Sequence, residues 1–229
     1  MDGEMKAQDA HFDEVADQYD ESIPAHVMAH IDARRVALAK SLLERGRVLD
    51  VGCGTGRFLE ALDGPYERVG ADVSAGMLER ARRKGLDVAQ AGADDLPFDD
   101  GSFDLVTTFA VLHHLIDPEV VRGALREMAR VVRPGGAVLV WDHNPLNPYW
   151  RLLMARVPQD QGDERLVPAR LIVGTLRAAG LEVSLRRMTF VPDFTPPRAL
   201  PAVARAEKLL ERAPLVRLVA AHNVAVARA

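Results

Sequence analysis

Three glycines at alternate positions follow a carboxylate in the stretch 48–56, where Asp50 precedes Gly52, Gly54 and Gly56. The apolar residues at the start of the stretch predict a short buried strand, and the residues after it predict a helix, so the glycines form the turn between them. Because glycine has no Cβ, such a turn can take positive φ and lets a ligand approach the main chain closely. These residues therefore predict a ligand site.

The spacing of the glycines and the charge beside them discriminate among ligands. A dinucleotide turn runs G-x-G-x-x-G and presents a helix N-terminus to a pyrophosphate. This turn runs G-x-G-x-G after Asp50, whose carboxylate would repel a phosphate, and the sequence contains no G-x-x-x-x-G-K-[ST] motif of a nucleoside triphosphate site. The turn suits a ligand with its own positive charges, such as the ammonium and sulfonium groups of S-adenosylmethionine.

A second carboxylate, Asp72, stands 20 residues after Gly52, in the next predicted strand over 67–73. In doubly wound sheets, an acid at this place accepts hydrogen bonds from the vicinal hydroxyls of a ribose. Two hydrogen bonds to a charged group, each worth about 1.5–3 kcal/mol, would orient a nucleoside. The alternative is a turn aspartate beside Ser74, which could cap the following helix.

Alternating patterns of strands and helices surround these residues. Asp117 and Pro118 mark a helix start, with an aspartate at the N-cap and a proline at the first helical position. The other predicted elements are strands over 103–109, 137–141 and 181–191, helices over 57–62, 120–132, 168–179 and 202–212, and a last strand within 215–228. Such alternation predicts an α/β fold with parallel strands joined by right-handed crossovers.

Four segments together resemble the class I S-adenosylmethionine-dependent methyltransferases, close to the branch that includes ubiquinone and menaquinone biosynthesis enzymes. They are the glycine turn, the strand end at Asp72, the stretch LPFDDGSFDLV over 96–106, and VVRPGG over 131–136. The resemblance implies a doubly wound, seven-stranded, mostly parallel sheet with a final antiparallel strand and N-terminal lid helices. It implies a single domain over 1–229, divided into lid helices over 1–45, a cofactor-binding core over 46–142, and an acceptor-side half over 143–229 with an insertion at about 192–216.

The resemblance also implies which residues bind the cofactor, S-adenosylmethionine. Val73 and Phe109 join the turn residues and Asp72 as contacts, and Tyr19, in the pattern F-x-x-x-A-x-x-Y-D, lies over the methionine end on a lid helix. Relatives often have Asp-Ala in the adenine pocket, where this chain has Gly-Ala followed by two aspartates. We expect the Ala93 amide to keep its contact. Asp94 either joins this pocket or is solvated, and Tyr19 either contacts the cofactor or only packs its helix.

Two histidines are candidates for a general base in methyl transfer. His143 follows a strand at the C-terminal edge of the predicted sheet, where open α/β sheets bind ligands, and His114 lies near another strand end. Histidine titrates near neutral pH, which suits proton removal from a hydroxyl or an acidic carbon of an acceptor. The structural alternative for each is capping or packing. His26 and His30 have the spacing of metal ligands, but no third ligand is evident, so we predict no metal.

Composition predicts a cytoplasmic enzyme, and the resemblance favours a small molecule as the methyl acceptor. The 229 residues carry a net charge of −4, without the broad basic footprint of nucleic-acid binding, so we expect no nucleic-acid partner. The single cysteine, Cys53, fits a reducing compartment. The sequence contains no apolar run of about 18 residues, so we expect no stable membrane insertion. The sequence leaves open whether the chain forms a homodimer.

Charge is uneven along the chain, because residues 198–229 contain six bases against Glu207 and Glu211. This segment either contacts an anionic acceptor or a membrane surface, or it is a solvated face. Four apolar residues in or just before this segment either line the acceptor pocket or pack in the ordinary way: Phe190, Phe194, Leu200 and Leu209.

Two other functions stay open from the sequence. One is a methyltransferase-like domain that binds S-adenosylmethionine without turning it over. The other is a nicotinamide-dependent oxidoreductase, which the glycine spacing and Asp50 disfavour.

Overall fold

The computed structural model describes residues 24–150 and 164–229. Its helices are α1 (Ala25–Leu42), α2 (Arg57–Ala61), α3 (Ala75–Arg83), α4 (Pro118–Val131), α5 (Ala169–Ala178) and α6 (Leu200–Leu210). Its strands are β1 (Gly46–Val51), β2 (Tyr66–Asp72), β3 (Asp87–Gln90), β4 (Phe103–Phe109), β5 (Val132–His143), β6 (Glu182–Met188) and β7 (His222–Arg228). Two short 3₁₀ turns cover Leu112–His114 and Val216–Val219.

One seven-stranded sheet joins the strands in the order β3-β2-β1-β4-β5-β7-β6. Strands β1 to β5 pair in parallel, and β7 runs antiparallel between β5 and β6. The chain crosses from one side of β1 to the other, and ligands bind beside the carboxyl ends of strands at such a switch point. The predicted fold class, doubly wound and mostly parallel with a final antiparallel strand, is confirmed.

The middle of the sheet is covered on both faces, so its strands are apolar almost throughout. Every residue from Leu105 to Phe109 in β4 is buried, and so is every residue from Ala137 to Trp141 in β5. One face packs against α4 and α5, and the other packs against α2 and α3. Burial of this core holds the carboxyl ends of the strands in fixed positions.

Local sequence signals set the starts of two helices. The Asp117 carboxylate accepts a hydrogen bond from the Glu119 amide, and Pro118 opens α4, as the sequence predicts. The Ser74 hydroxyl caps α3 by accepting a hydrogen bond from the Met77 amide at 3.1 Å. Both caps lie close to strand ends, so they fix where each helix leaves the sheet.

Two strands differ from the prediction. Strand β5 begins at Val132, directly after α4, and includes the Pro-Gly-Gly stretch, whereas the sequence predicts a strand only from 137. Strand β3 was not predicted, because its four residues include the exposed Asp87 and Gln90 and show no apolar pattern. It forms because β2 offers a parallel edge, where Val69 stands beside Asp87.

Helices α1 and α6 belong to regions that the sequence assigns to the lid and the insertion. Helix α1 is the described part of the lid region, and residues 1–23 lie outside the described residues. Helix α6 and the 3₁₀ turn after it lie between β6 and β7, where we predicted the insertion. Across 24–150 and 164–229, no helix is both long enough and apolar enough to cross a bilayer.

Candidate functional site

A mainly apolar pocket opens at the carboxyl ends of β1, β2 and β4. Seven predicted site residues line it: Gly52, Gly54, Asp72, Val73, Ala93, Phe109 and His114. Its other lining residues are Met77, Ala91, Ala110, Val111 and Leu115. The structure therefore brings the glycine turn, the β2 carboxylate and one candidate base to a single cavity.

The three glycines of the turn have left-handed backbones and different surroundings. Their φ angles are +72° at Gly52, +52° at Gly54 and +78° at Gly56. A Cβ on Gly56 would lie 2.3 Å from the Leu86 side chain, so this glycine allows close packing and is absent from the pocket lining. A Cβ on Gly54 would meet nothing within 4 Å. Gly54 is therefore the place where a ligand can approach the backbone.

The Asp72 side chain ties the end of β2 to the glycine turn. Its Oδ2 accepts a hydrogen bond from the Gly54 amide at 2.8 Å, and its Oδ1 accepts one from the Ser74 amide at 3.0 Å. Asp72 also lines the pocket, so the same side chain both holds the turn and faces a ligand. The two roles that the sequence left open, turn aspartate and ligand contact, are compatible.

Asp50 lies beneath the turn, outside the pocket lining. It is 3% exposed, and the Thr107 hydroxyl donates a hydrogen bond to its Oδ1 at 2.8 Å. Burial raises the pKa of Asp50 to about 7, and the charge of Asp72 adds to this rise, against the Thr107 bond and the charge of Arg35. The structure thus places Asp50 where its charge can act through the turn without touching a ligand in the pocket.

The structure places the two predicted adenine contacts in different surroundings. Ala93 lines the pocket, whereas Asp94 is exposed and lies against Gly123 of α4. On the opposite wall, the Phe109 ring packs against Phe58 with centroids 4.5 Å apart, and the Arg35 guanidinium lies 5.0 Å from the Phe109 centroid. Helix α1 thus reaches the pocket wall through Arg35.

Helix α1 is held to the start of α2 by a partly buried ion pair. Arg57 donates to Asp32 Oδ2 at 2.7 Å, and Asp32 is only 8% exposed. Because α2 begins directly after the glycine turn, this pair fixes α1 beside the turn. The predicted contact of Tyr19 lies outside the described residues.

A buried aspartate organises the histidines behind the pocket. Asp142 Oδ1 lies 3.0 Å from His113 Nδ1 and accepts the His143 amide at 2.6 Å, while its Oδ2 accepts the Leu112 amide at 2.7 Å. The His113 ring lies beside that of His114, with centroids 4.0 Å apart and the ring planes tilted by 42°. Asp142 therefore positions the 3₁₀ turn that carries His114 to the pocket.

His143, the other candidate base, lies one layer behind the lining. Its ring is stacked between His113, at 4.2 Å, and Trp150, at 3.7 Å. Its Nδ1 is buried and has no hydrogen-bond partner among the described residues. Burial, reinforced by the neighbouring His113 and His222, holds the pKa of His143 well below its ordinary 6.5. His143 is thus a neutral ring at physiological pH.

Sequence reasoning missed two residues of this site. His222 comes from β7, and its ring lies 5.2 Å from that of His143, with the Thr189 hydroxyl in contact with its Nδ1. Ala110 lines the pocket with a φ of +56°, a strained conformation of the kind found at ligand sites. His222 could be identified only from the antiparallel pairing of β7, and Ala110 only from its backbone conformation.

Possible metal ligands also come together behind the pocket. One ligand atom each from His113, Asp142 and His143 lies within 4.8 Å of the others. The two imidazoles are stacked at 28°, so their in-plane lone pairs run side by side instead of converging on one point. The arrangement favours a hydrogen-bonded stack over coordination. His26 and His30 instead contact the Thr195 carbonyl and Glu207, at 2.7 and 2.9 Å.

Comparison with known proteins connects the pocket to a family. The methyltransferase domain family matches residues 49–140. A demethylmenaquinone methyltransferase of Clavibacter sepedonicus is 37% identical over 139 residues, which are 57% of this chain and 56% of that protein. A probable tRNA methyltransferase 9B of Mus musculus is 36% identical over 94 residues, which are 41% of this chain and 21% of that protein. The chain thus spans about half of the first relative and a fifth of the second.

A solved structure shares the fold over nearly the whole chain. It is an S-adenosylmethionine-dependent methyltransferase of Thermotoga maritima, described as a possible histamine N-methyltransferase, with a TM-score of 0.71 at 21% identity. The similarity covers 96% of this chain and 99% of that one. The common fold therefore extends beyond residue 140, where the family match ends.

The expectation that nucleic acid is excluded as a partner is wrong. It rested on the net charge of −4, but a tRNA methyltransferase is among the relatives that match this chain. Net charge sums over the whole molecule and does not report a local basic segment such as 198–229.

Proposed function

The chain belongs to the class I S-adenosylmethionine-dependent methyltransferases, and we propose that it transfers a methyl group to an oxygen or carbon atom of a small molecule with an apolar body. The shared pocket carries this proposal, because Gly54, Asp72 and His114 line one cavity. The relative that acts in quinone methylation favours a quinol or phenol as the acceptor. S-Adenosylmethionine, when bound, supplies an electrophilic methyl group on a sulfonium.

In this proposal, bare backbone and one carboxylate hold the cofactor. Gly54 leaves open space where any other residue would place a side chain, so a ligand can lie against its main chain. Asp72, which binds the Gly54 and Ser74 amides and lines the pocket, contacts the ribose hydroxyls. Val73, Ala93 and Phe109 form the apolar walls around the nucleoside.

Asp50 and Gly56 support the turn from behind. The Asp50 carboxylate, buried under the glycines, favours a positive charge above them when it is ionised. Gly56 lets the start of α2 pack closely against Leu86, because any side chain there would collide with Leu86. These two residues act through the turn, and we assign the acceptor side of the protein to residues 143–229.

Alignment of the two reactants and exclusion of water supply most of the rate enhancement in this proposal. Holding two reactants in a near-attack geometry is worth about 7–11 kcal/mol. A general base contributes about 10²–10⁴-fold, which corresponds to roughly 3–5 kcal/mol. His114 lines the pocket and is the base in our proposal, whereas the stacked, neutral His143 positions the His113–His114 pair.

A tRNA nucleotide is the second candidate acceptor. The observation in its favour is the similarity over 94 residues to a probable tRNA methyltransferase. A third outcome is binding of the cofactor without turnover, as in a regulatory domain.

A transfer assay separates these candidates. Purified protein is incubated with S-adenosylmethionine that carries a labelled methyl group and with quinols, phenols, glycolipids or unmodified tRNA. Label in a small molecule supports the proposal, and label only in tRNA supports the second candidate. Calorimetric binding of S-adenosylhomocysteine with no labelled product from any acceptor would identify a binding domain, and absence of binding would overturn the family-based function altogether.

A further inference from the structure

Helix α6 and the 3₁₀ turn after it expose a cluster of apolar side chains. Leu209 is 65% exposed and Leu215 is 81% exposed, instead of lining an acceptor pocket. Backbone hydrogen bonds run from the Arg212 amide to the Leu209 carbonyl and from the Arg217 amide to the Ala213 carbonyl, so the chain stays in compact turns. We call this cluster the leucine surface, and its exposed members are Leu146, Leu209, Leu210, Leu215, Val216, Leu218 and Val219.

The leucine surface is held in place by the loop after β5. The Asn144 side chain donates to the carbonyls of Leu218 and Ala220, each at 2.9 Å, and the Asn147 side chain donates to the Val219 carbonyl at 2.8 Å. These bonds bring Leu146, which is 56% exposed, beside the 3₁₀ turn. The surface is therefore assembled from two parts of the chain.

The exposed charged side chains around the leucine surface are positive. Lys208, Arg212 and Arg217 are exposed, and none forms an ion pair with a described residue. The acids of the same segment turn inward: Glu207 is 1% exposed, and both Glu207 and Glu211 pair with Arg34 of α1. An incoming partner therefore meets leucine side chains and unpaired cations.

We propose that the leucine surface docks on an anionic lipid bilayer. Apolar side chains flanked by bases are the chemistry of segments that lie in the membrane interface, where the leucines enter the acyl boundary and the bases contact lipid phosphates. The long Lys and Arg stems let the charges reach the headgroups while the backbone stays above them. This docking is a surface contact, and it does not depend on which acceptor is methylated.

Other occupants fit the leucine surface less well. A second copy would bring three unpaired cations of each protomer together, and the repulsion opposes association. A nucleic acid would pair with the bases but would leave the leucines facing charged phosphates, without burying their apolar area. A bilayer satisfies the charges and the leucines at once.

Sedimentation with vesicles tests the proposal. The whole chain is mixed with vesicles of equimolar phosphatidylcholine and phosphatidylglycerol, or of phosphatidylcholine alone, and bound protein is measured after centrifugation. We expect binding to the mixed vesicles. The triple variant K208S/R212S/R217S should bind these vesicles roughly a hundredfold more weakly, and L209S/L215S should lose at least about tenfold.

Matched variants control for total charge and for folding. The triple variant R82S/R126S/R170S removes three exposed bases elsewhere and should bind like the wild type. All variants should keep the wild-type Tm and S-adenosylhomocysteine affinity. The proposal is overturned if the wild type does not bind the mixed vesicles, if the two triple variants bind equally, or if L209S/L215S binds like the wild type. It is also overturned if L209S/L215S converts a dimer to a monomer, or abolishes tRNA binding, while vesicle binding is unchanged.

Discussion

The carboxylate of Asp72 holds the backbone of Gly54: its Oδ2 accepts the glycine amide at 2.8 Å, across 18 residues of chain. The end of β2 thereby shapes the turn that follows β1. A side chain that fixes the turn and also lines the pocket couples the geometry of the site to its chemistry.

Replacing Asp72 with asparagine should weaken cofactor binding more than it weakens the fold. The variant D72N keeps the shape of the side chain but loses the charge and half of the acceptor capacity. Because a hydrogen bond to a charged group is worth about 1.5–3 kcal/mol, affinity for S-adenosylhomocysteine should fall roughly 10- to 100-fold by calorimetry. The control D95N changes an exposed acid and should bind normally; equal affinity of D72N and D95N would remove Asp72 from the site.

Alanine at two glycines of the turn should separate binding from stability. A Cβ on Gly54 enters open space, so G54A should pay about 1–2 kcal/mol for its left-handed backbone and should block the ligand. A Cβ on Gly56 collides with Leu86, so G56A should lose a further 1–3 kcal/mol or so by overpacking. Denaturant unfolding should therefore rank G56A as the less stable variant. The reverse order would show that the surroundings of the two glycines are misassigned.

Asp50 should make the folded state less stable as pH rises from 3.8 to about 7. Between the ordinary pKa of 3.8 and the folded-state pKa of about 7, the unfolded chain gives up the proton and the folded chain keeps it, so folding becomes less favourable with increasing pH. The contribution is up to about 1.4 kcal/mol per pH unit and is constant above the folded-state pKa. The variant D50N can still accept the Thr107 hydrogen bond, but its side chain does not titrate, so it lacks this pH dependence.

The free energy of unfolding of D50N and the wild type, measured by urea denaturation at several pH values, checks this dependence. The difference should grow in favour of D50N through the window and then level off. A difference that does not vary with pH would contradict the raised pKa of Asp50.

Loss of the Glu207 charge should loosen the contact between α1 and α6. Glu207 is 1% exposed, contacts Arg34 and His30, and accepts the Phe190 amide at 2.7 Å. Breaking a buried pair by removing one partner typically costs about 3–5 kcal/mol, so E207Q should lower Tm and expose the segment around α6 to limited proteolysis. E79Q, which breaks an exposed pair with Arg83, should leave both readouts unchanged.

His114 and His143 should differ in which measurement they change. H114N removes the candidate base from the pocket lining and should lower turnover with the true acceptor about 10²–10⁴-fold, without changing S-adenosylhomocysteine affinity. H143N breaks a stack between His113 and Trp150 and should lower Tm first. Unchanged turnover in H114N would leave alignment alone as the catalytic contribution.

The cofactor half could be predicted from sequence because its signals are local. The glycine turn, the Asp72 strand end and the Asp117 cap are each set within a few residues, and all three lie where the patterns place them. The position of Asp50 was less predictable, since its burial depends on Thr107 of a strand 57 residues away.

The acceptor side could not be predicted in the same way because its contacts are distant in sequence. His222 reaches His143 only through the β5–β7 pairing, and Asp142 meets His113 from 29 residues away. Phe194 and Leu209 were candidate pocket residues by composition, yet both are exposed. Apolar character alone does not tell which face of an inserted helix is covered.

The contact between His30 and Glu207 also has a consequence for biosynthesis. The two residues are 177 positions apart, and ribosomes add about 5–20 residues each second, so the first of them is added to the chain roughly 9 to 35 s before the second. During that interval Arg34 lacks both of its carboxylates. Strands β1 to β5 can form meanwhile. The ion pairs that hold α1 at the pocket wall can form only after α6 has been synthesised.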